Sequence, residues 1–580
     1  MSSTIETKPR FEAPSECSDP PPSPDEFSAR QFLSPHLSEA LAIDARQLFA
    51  VIWVAGTFLV SNYLPLPSGP LWGDIAYGNA LRHGASLDEQ DPFVAFVEGV
   101  PHVATNSLSQ RLLSLLSEFS NPEVYSHVTA ILTCLSASLM LLSFWWRSRS
   151  LGVSLAALLL LTTLSVVTPR IAGAADLGWL MLSVSFVLFA NFERHLLSEK
   201  NSLVSKRVLI EVIATAILFS VWANLHVSFL FGLIFVGAMA LGTAIDQTIA
   251  SRSPASIWRN RECLGWILLA DAAILGALCN PAGMDLLLQE FGLLRFFDLG
   301  NGLDAAPVVA NTWSALPIAV MGFLAMLLLR LSRQPLRTAD GLMTAGLFLM
   351  ASFNVHSLVW TLPVLTYVFL PHLADVTERW ISKTAVPLIQ PAYHLFHQKS
   401  FHLSLIAGLV VWVAFTLSPM SRLVMGGKGR TPEQYLRGDI PLAATNELIE
   451  HPPQGILATT SEWSDWLISQ GPPELKVLST SQTERFAPLQ LRRDTVALMQ
   501  GRGDTHHLLE RYRIHAVLVD LNSSPRLYEE LKELKAWRRS YEDPQAALFV
   551  RSLEPIDDDE TGVSDLDENA SPEDGHEVSE

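Results

Sequence analysis

Charged residues are scarce in this chain of 580 residues. They make up 17% of the sequence, against roughly 25% in an ordinary soluble domain. Hydrophobic residues make up 49%, and the mean hydropathy is +0.27. Lys and Arg are outnumbered by Asp and Glu, 40 to 58, which gives a net charge of −18. This composition predicts a membrane protein, and it argues against nucleic acid as a partner because nucleic-acid binding uses clustered basic residues.

Cysteine is rare as well, with four residues in the whole chain. Cys17, Cys134, Cys263 and Cys279 are scattered and match neither a zinc-ligand spacing nor a disulfide framework. The C-terminal part also lacks a Gly-rich phosphate loop and a His-Glu-x-x-His motif. The sequence therefore predicts no certain cofactor and leaves a divalent cation as an open alternative.

The N-terminus lacks the short apolar core of a signal peptide. Residues 1–46 are instead rich in Pro, Ser and Glu. Residues 554–580 are rich in Asp and Glu and contain neither Lys nor Arg. Segments of this composition bury too little apolar surface to fold, so we predict a disordered tail at each end of the chain.

Long apolar runs fill most of the chain between the two tails, and a bilayer-spanning helix needs about 20 such residues. The run 208–245 would measure roughly 57 Å as a single helix, at about 1.5 Å per residue, so we divide it at the polar residues Asn224 and His226. The sequence then predicts a polytopic protein of about eleven transmembrane helices. The predicted spans are 47–64, 124–145, 151–168, 173–191, 208–223, 227–245, 264–280, 315–331, 340–354, 356–371 and 403–420.

The loops on the two sides differ in basic residues, which are enriched on the cytoplasmic side of membrane proteins. One set of loops contains fifteen Lys and Arg residues, and the other contains four. The four are Arg82, Arg111, Arg170 and Arg295. We therefore predict a cytoplasmic N-terminus and an extracytoplasmic C-terminal part, in the cell (inner) membrane.

These patterns divide the chain into four parts. The predicted parts are a cytoplasmic tail (1–46), a transmembrane domain with a long outer loop at 65–123 (47–427), an extracytoplasmic α/β domain (428–553) and an acidic tail (554–580). In the α/β domain, short apolar runs predict strands at 455–459, 475–479, 514–520 and 546–551, with a helix at 525–537. Alternating strands and helices favour a small mixed sheet.

Polar residues gather at the predicted outer ends of the helices. Such residues are costly at this depth unless they are paired or line a wet cavity, so a polar cavity on the outer face is one interpretation. The residues are Asp74, Arg170, Asn224, His226, Asn280, Asn354 and His356.

Each of these residues also has a purely structural interpretation. Asp74 fits a helix cap, and Arg170 fits a side chain that reaches for lipid headgroups. His226 fits a hydrogen-bonded anchor in an interfacial turn. Asn280 precedes Pro281 and fits a signal that ends a helix.

Several short motifs occur in a fixed order between residues 48 and 553. They are Gly73-Asp74, Tyr77-Gly78, Leu81-Arg82, Gly84, Asp91-Pro92-Phe93, Gly99, Pro101, Leu108 and Gln110 in the first outer loop, then Trp222-Ala223-Asn224-Leu225-His226, Asn280-Pro281-Ala282-Gly283, Trp537-Arg538, Tyr541-Glu542-Asp543 and Ala547–Arg551. Together they resemble the C-type membrane glycosyltransferase superfamily, which uses polyprenyl-phosphate donors. The similar proteins form a bacterial branch near the dolichyl-phosphate-mannose mannosyltransferases.

The resemblance implies transfer of a sugar from a polyprenyl-phosphate carrier to a glycan, lipid or protein acceptor outside the membrane, with inversion. An acidic residue of the first external loop serves that family as general base, and the matching position is Asp74. The leaving phosphate needs a cation, for which Arg170 is the candidate. His226, Asn224 and Asp91 complete the predicted set of residues that bind the donor phosphate or sugar.

The sequence also departs from the family pattern. His102 stands where relatives have Trp, and Asn106 and Ser107 stand where relatives have an acidic residue followed by Trp. A second acidic residue is therefore missing from its usual place, and the nearby candidates to replace it are Asp88, Glu89 and Asp91. Two other functions stay open: a non-catalytic scaffold or assembly protein that keeps the fold, and a transporter, which predicts internal repeats and charges near mid-span.

Overall fold

The computed structural model describes residues 39–85, 91–96, 106–119, 121–165, 172–198, 206–291, 312–353, 357–384, 397–483 and 487–552. The acidic tail and most of the predicted N-terminal tail lie outside the described residues. The helices of the apolar part are α1 (Ala45–Tyr63), α2 (Pro70–Arg82), α3 (Ser107–Leu116), α4 (Val124–Ser148), α5 (Leu151–Ser165), α6 (Ala174–Ser198), α7 (Lys206–Leu225), α8 (Phe229–Ser251), a 3-10 helix (Pro254–Arg259), α9 (Arg261–Ala277), α10 (Gly283–Phe291), α11 (Thr312–Leu331), α12 (Thr338–Phe353), α13 (Leu358–Thr384), α14 (Phe401–Leu417) and α15 (Pro419–Val424).

The structure has a helix at each of the eleven predicted spans. Within the described residues, five of them are long and apolar enough to cross a membrane, namely α4, α6, α7, α8 and α13. Helix α5, most of α11 and helix α14 are apolar but shorter. The prediction of a mostly helical membrane protein is therefore confirmed, whereas the count of eleven spans stays a prediction.

Aromatic rings form the centre of the helical bundle. Phe186 of α6 stacks on Tyr367 of α13, with ring centroids 4.7 Å apart. Phe189 stacks in the same way on Phe235 of α8 at 5.0 Å, and Trp266 of α9 meets Phe189 edge-on. These rings are fully buried, and they fix the relative positions of four helices through large apolar contacts.

Helix α13 contains a proline whose missing donor is replaced from a neighbouring helix. Pro371 has no N–H to offer the carbonyl of Tyr367, four residues earlier. Arg147, near the end of α4, donates from Nε to that carbonyl at 3.0 Å, and from Nη1 to Glu193 of α6 at 2.5 Å. One buried guanidinium thus joins α4, α6 and α13 at the end of the bundle that carries most of the basic residues.

The C-terminal part folds around a five-stranded sheet. Its elements are α16 (Pro432–Tyr435), α17 (Leu442–Glu450), β1 (Ile456–Ala458), α18 (Ser461–Gln470), β2 (Lys476–Val477), α19 (Leu489–Met499), α20 (Thr505–Arg511), β3 (Ile514–Asp520), α21 (Pro525–Glu533), β4 (Trp537–Glu542) and β5 (Ala546–Arg551). The strand order is β2-β1-β3-β5-β4. Strands β2, β1 and β3 are parallel, and β5 is antiparallel to both β3 and β4, which confirms the predicted mixed sheet.

The predicted helix at 525–537 is too long at its C-terminal end. Helix α21 ends at Glu533, and the chain turns into β4 at Trp537. Strand β4 lies at the edge of the sheet, and Trp537 is its one buried residue, so the sequence shows no alternation of apolar and polar positions there. Local pattern therefore missed this strand.

The sheet and the outer loop share one hydrophobic core. Val94 of the loop lies beside Val477 of β2 in a parallel bridge, and Leu66 makes a similar bridge with Leu436. Trp72 of α2 is buried in the same cluster as the side chains of the sheet. The predicted boundary at residue 428 stays a prediction, but the core of the C-terminal part extends across it.

A buried ion pair attaches the C-terminal part to the apolar helices. Arg430 Nε lies 2.7 Å from Glu123 Oε1, next to the start of α4, and the two side chains are 6% and 5% exposed. The backbone N–H of Arg430 donates to Glu123 Oε2 at 2.9 Å, and its Nη2 donates to the carbonyl of Asn62 in α1 at 3.0 Å. Both oxygens of the carboxylate are therefore bonded to Arg430.

We expect Arg430→Ala to destabilise the full-length protein by about 3–5 kcal/mol, because it leaves Glu123 buried and unpaired. The matched control is Arg437→Ala, which removes an exposed pair with Asp439 and should cost only about 0–1 kcal/mol. Thermal unfolding of the detergent-purified protein measures both. Equal melting temperatures for the two variants would contradict the role assigned to the pair.

Candidate functional site

Helix α2 lies between the apolar helices and the C-terminal part. Pro70 at its first turn sets the helical φ, and every residue from 71 to 78 is buried. Trp72 packs edge-on against Trp466 of α18, with ring centroids 4.7 Å apart, and against Tyr125 of α4 at 6.0 Å. The helix is therefore held from both sides, and we call its contact with α18 and with the loop 478–483 the α2 junction.

Asp74 is the charged residue of α2 that the sequence predicts as the general base. Its side chain is buried, with 3% of the residue exposed. Oδ2 accepts a hydrogen bond of 3.3 Å from the N–H of Ala174, the first residue of α6, and Oδ1 accepts one of 3.0 Å from Gln482 Nε2. A helix N-terminus favours negative charge, so α6 stabilises this carboxylate.

Asp465 of α18 is a second carboxyl at the α2 junction, and the sequence analysis missed it. The residue is fully buried, and its Oδ1 accepts the N–H of Ser481 at 3.2 Å. Burial raises the pKa of Asp465 to about 8, although the hydrogen bond from Ser481 lowers it, and the negative charge of Asp74 adds to the rise. An acidic residue between two tryptophans, Trp463 and Trp466, was the available signal in the sequence.

Asp465 approaches α2 at a glycine. A Cβ atom placed on Gly73 would lie 2.7 Å from Asp465 Oδ1, which is too close for any side chain. The missing side chain therefore lets the carboxyl of α18 reach the backbone next to Asp74. The loop 478–483 contacts both acids, through the N–H of Ser481 and the side chain of Gln482.

Asp91 lies close to the α2 junction, and its hydrogen bonds hold the local structure. Its Oδ2 accepts the hydroxyl proton of Tyr77 at 2.8 Å, and its Oδ1 accepts the N–H groups of Phe93 and Val94 at 2.8 and 2.9 Å. The Tyr77 oxygen also lies 3.2 Å from the hydroxyl of Thr480. These bonds shape the segment 91–94 that pairs with β2.

His226 lies in the turn between α7 and α8 and faces α6 one turn below Asp74. A Cβ on Gly178 would lie 2.9 Å from His226 Nδ1, and Gly178 follows Ala174 by four residues. Residues four apart share a helix face, about 6 Å apart along the axis. Asp74 and His226 therefore contact the first two turns of α6, Asp74 at the N–H of Ala174 and His226 beside Gly178. The His226 ring also packs against Trp360 at 5.1 Å.

Asn224 forms an amide pair that joins two helix ends. Its Oδ1 accepts a bond of 3.1 Å from Asn280 Nδ2, and its Nδ2 donates to the carbonyl of Ser220 at 2.7 Å. Asn280 also donates to the carbonyl of Ala223 at 3.1 Å. Two sequence-predicted polar residues thus meet here, and their bonds hold the ends of α7 and α9 together.

Other candidates are placed less completely. Arg170, Asn354 and His356 lie outside the described residues. Asn106, which stands where the family has an acid, precedes α3, and its Oδ1 is buried without a hydrogen bond within the described residues. Among those residues, the one group with metal-ligand spacing is Glu447, Glu450 and His451, at the C-terminal end of α17, where two of the three are exposed.

We expect Gly73→Ala to disturb the α2 junction, because the added methyl group overlaps Asp465. Overpacking of this kind costs about 1–3 kcal/mol. Gly56→Ala in α1 is the matched control, since a Cβ there meets nothing within 4 Å. Thermal unfolding should place Gly73→Ala well below wild type and Gly56→Ala at or above it; the reverse order would contradict the close contact.

The stability of the protein should fall as pH rises toward 8, because the folded state keeps a proton on Asp465 that the unfolded chain has lost. A folded pKa of about 8 lies above the value of about 3.9 for an unfolded Asp, so the loss develops between these two values. Asp465→Asn removes this dependence, and its gain in melting temperature should be larger at pH 8 than at pH 5. Asp494→Asn breaks an ion pair with Arg511 and should lower the melting temperature at both pH 5 and pH 8.

No protein-family model and no curated protein matches this sequence.

Proposed function

We propose that this protein is a membrane glycosyltransferase that transfers a sugar from a polyprenyl-phosphate carrier to a hydroxyl group of a glycan, lipid or protein outside the membrane. The observation that supports this proposal is the position of Asp74. Its carboxylate lies at the N-terminus of α6, where the C-terminal part meets the apolar helices. A polar cluster at such a boundary is a favourable place for an acid that handles protons.

In the proposed reaction, Asp74 accepts the proton of the acceptor hydroxyl. The acceptor oxygen attacks the anomeric carbon, and the bond between that carbon and the phosphate oxygen breaks. The electron pair of that bond leaves with the polyprenyl phosphate, and the configuration inverts. Arg170, proposed from the resemblance, neutralises the leaving phosphate.

Among the proposed donor-binding residues, His226 is supported by its contact with α6 one turn from the N–H that bonds to Asp74. Its Nδ1 accepts the N–H of Ser228 at 3.1 Å. Asn224 and Asp91 are also hydrogen-bonded and act in this proposal by holding the surrounding turns in position. A catalytic metal has no support among the described residues near Asp74.

The proposal includes eleven spans, with the N-terminus in the cytoplasm and the C-terminal part outside the cell membrane. The imbalance of fifteen basic residues against four supports this orientation. Contacts at the helix ends support it too. The end of α1 at Asn62 and the start of α4 beside Glu123 lie against Arg430 of the C-terminal part, and the start of α6 lies against Asp74 of the outer loop. Ends on one side are expected for helices that alternate in direction.

A scaffold is the second candidate, and one observation favours it. Both oxygens of Asp74 accept hydrogen bonds from the protein itself, which is the arrangement of a structural clasp. In that case Asp74 would join the C-terminal part to α6 without touching a substrate. A transporter has less support: Glu211 lies in the second turn of α7 and is hydrogen-bonded to His195 at 2.6 Å, although Asp271 lies near the middle of α9.

Asp74→Asn separates the two candidates. The substitution keeps the size of the side chain and removes its basicity, so transfer should fall about a hundred- to ten-thousand-fold while the protein stays folded. Gln482→Ala is the control: it removes a hydrogen bond to Asp74 and leaves the carboxylate in place. A catalytic Asp74 predicts a much greater loss of transfer from Asp74→Asn than from Gln482→Ala. A structural clasp predicts that the two substitutions have similar effects on transfer.

The assay compares cells with and without the protein for incorporation of labelled sugar from a panel of polyprenyl-phosphate donors into membrane glycoconjugates. Arg170→Lys should retain more transfer than Arg170→Ala, because a lysine still provides a positive charge near the phosphate. Asn106→Ala should have little effect. Full complementation by Asp74→Asn, or the absence of any protein-dependent transfer, would refute the catalytic role and favour the scaffold.

Single cysteines test the orientation, in a chain whose four native cysteines are replaced by serine. Glu529→Cys in the C-terminal part should react with a membrane-impermeant thiol reagent in intact cells. Arg259→Cys, on the predicted cytoplasmic side, should react only after lysis. Labelling in the opposite order would overturn the proposed orientation.

A further inference from the structure

Asp465 has one oxygen that its surroundings leave without a partner. Oδ1 accepts the N–H of Ser481, whereas Oδ2 is buried and has no hydrogen bond among the residues that the structure describes. A buried carboxylate in this state is costly, since its charge has lost water and gained no second donor. A neutral carboxyl with a proton on Oδ2 avoids that cost and offers a hydrogen-bond donor.

The charges around Asp465 favour the neutral form as well. Asp74 and Tyr77 on α2 and Glu462 on its own helix are the titratable groups that act on it, and the acids among them repel a negative charge. The loop 478–483 contributes the N–H of Ser481 as a donor. Burial and this repulsion raise the pKa of Asp465 to about 8, so the carboxyl carries its proton at neutral pH.

The α2 junction therefore combines two acids in opposite states. Asp74 is stabilised as a charged acceptor by the N-terminus of α6 and by Gln482. Asp465 is held neutral, with a donor on an oxygen that no described residue uses. An alcohol hydroxyl matches this combination, because it donates one hydrogen bond and accepts others.

We infer that Asp465 of the C-terminal part is the second carboxyl of the site, where it donates a hydrogen bond from Oδ2 to the acceptor hydroxyl whose proton Asp74 accepts. This inference rests on the proposed function. In this inference Asp465, from a distant part of the chain, serves in place of the acid that is missing at position 106. Asp465 keeps its proton throughout, so it orients the hydroxyl oxygen, and the proton that moves goes to Asp74.

Infrared spectroscopy of the full-length protein tests the protonation independently of activity, through the C=O stretching band of a protonated carboxyl. The wild type should show this band at neutral pH and lose it with a midpoint of about 8. Asp465→Asn should lack the band, and Asp74→Asn should lower its midpoint by removing a negative charge. Asp494→Asn, whose carboxylate pairs with Arg511, should leave the band unchanged. A band that persists in Asp465→Asn would overturn the inference.

Ligand binding is tested on the same band with methyl α-mannoside and methyl α-glucoside as probes that carry hydroxyl groups. A new hydrogen bond from Oδ2 should shift the band in the wild type. A band that is present but unmoved by either probe, and unmoved by the donor sugars of the transfer assay, would show that Asp465 is protonated for structural reasons only and would overturn its role in binding.

Transfer as a function of pH separates this inference from the proposed function. Asp465→Asn keeps a donor, but an amide N–H is weaker than a carboxyl O–H, so transfer at neutral pH should fall less than in Asp465→Ala, and the decline that the wild type shows above about pH 8 should disappear. Asp465→Ala should lose roughly ten- to a hundredfold, the size of one hydrogen bond left unmade. Equal pH profiles for wild type and Asp465→Asn would refute the inference and leave Asp74 as the base. The absence of all transfer would refute the proposed function, and the infrared band would still report on Asp465.

Discussion

The buried pair of Glu123 and Arg430 determines where the C-terminal part lies against the apolar helices. Arg430 uses its backbone N–H and its Nε on the two oxygens of one carboxylate, and it reaches α1 as well. An ion pair with this many hydrogen bonds fixes the relative orientation of the two side chains as well as their distance, because a guanidinium is planar and rigid. The contacts of the α2 junction require this placement, since Gln482 reaches Asp74 and Asp465 approaches Gly73 only when the C-terminal part lies over α2.

The α2 junction holds two carboxyl groups away from water in different ways. Asp74 is stabilised by a helix N-terminus and an amide. Asp465 remains protonated because burial raises its pKa. Gly73 leaves room for this carboxyl next to the backbone of α2. The two solutions are complementary, since the charge on Asp74 helps keep Asp465 neutral.

Sequence pattern predicted the helices and the central strands because those elements are specified locally. Apolar runs indicated α4 and α6, and the buried strand β3 stood out as a run of apolar residues. Asp74 stood out because of its motif. Asp465 did not, because its meaning depends on contacts between distant segments: Gln482 and Asp74 are 408 residues apart in the chain. Neither periodicity nor spacing predicts that two such segments meet, and a lone acid on a helix is indistinguishable from a surface residue until its neighbours are known.

The proline of α13 has a consequence for assembly in the membrane. Arg147 bonds to the carbonyl that Pro371 leaves free, yet the two residues that form this bond are 220 positions apart. At about 5–20 residues per second, a ribosome needs roughly 10–40 s to cover that distance. During this interval Arg147 can pair with Glu193 but not with Tyr367. The stacked aromatic rings of α6, α8 and α13 also lack their partner from α13. The bundle is therefore completed late in synthesis, when α13 supplies both the ring of Tyr367 and the carbonyl that accepts the hydrogen bond from Arg147.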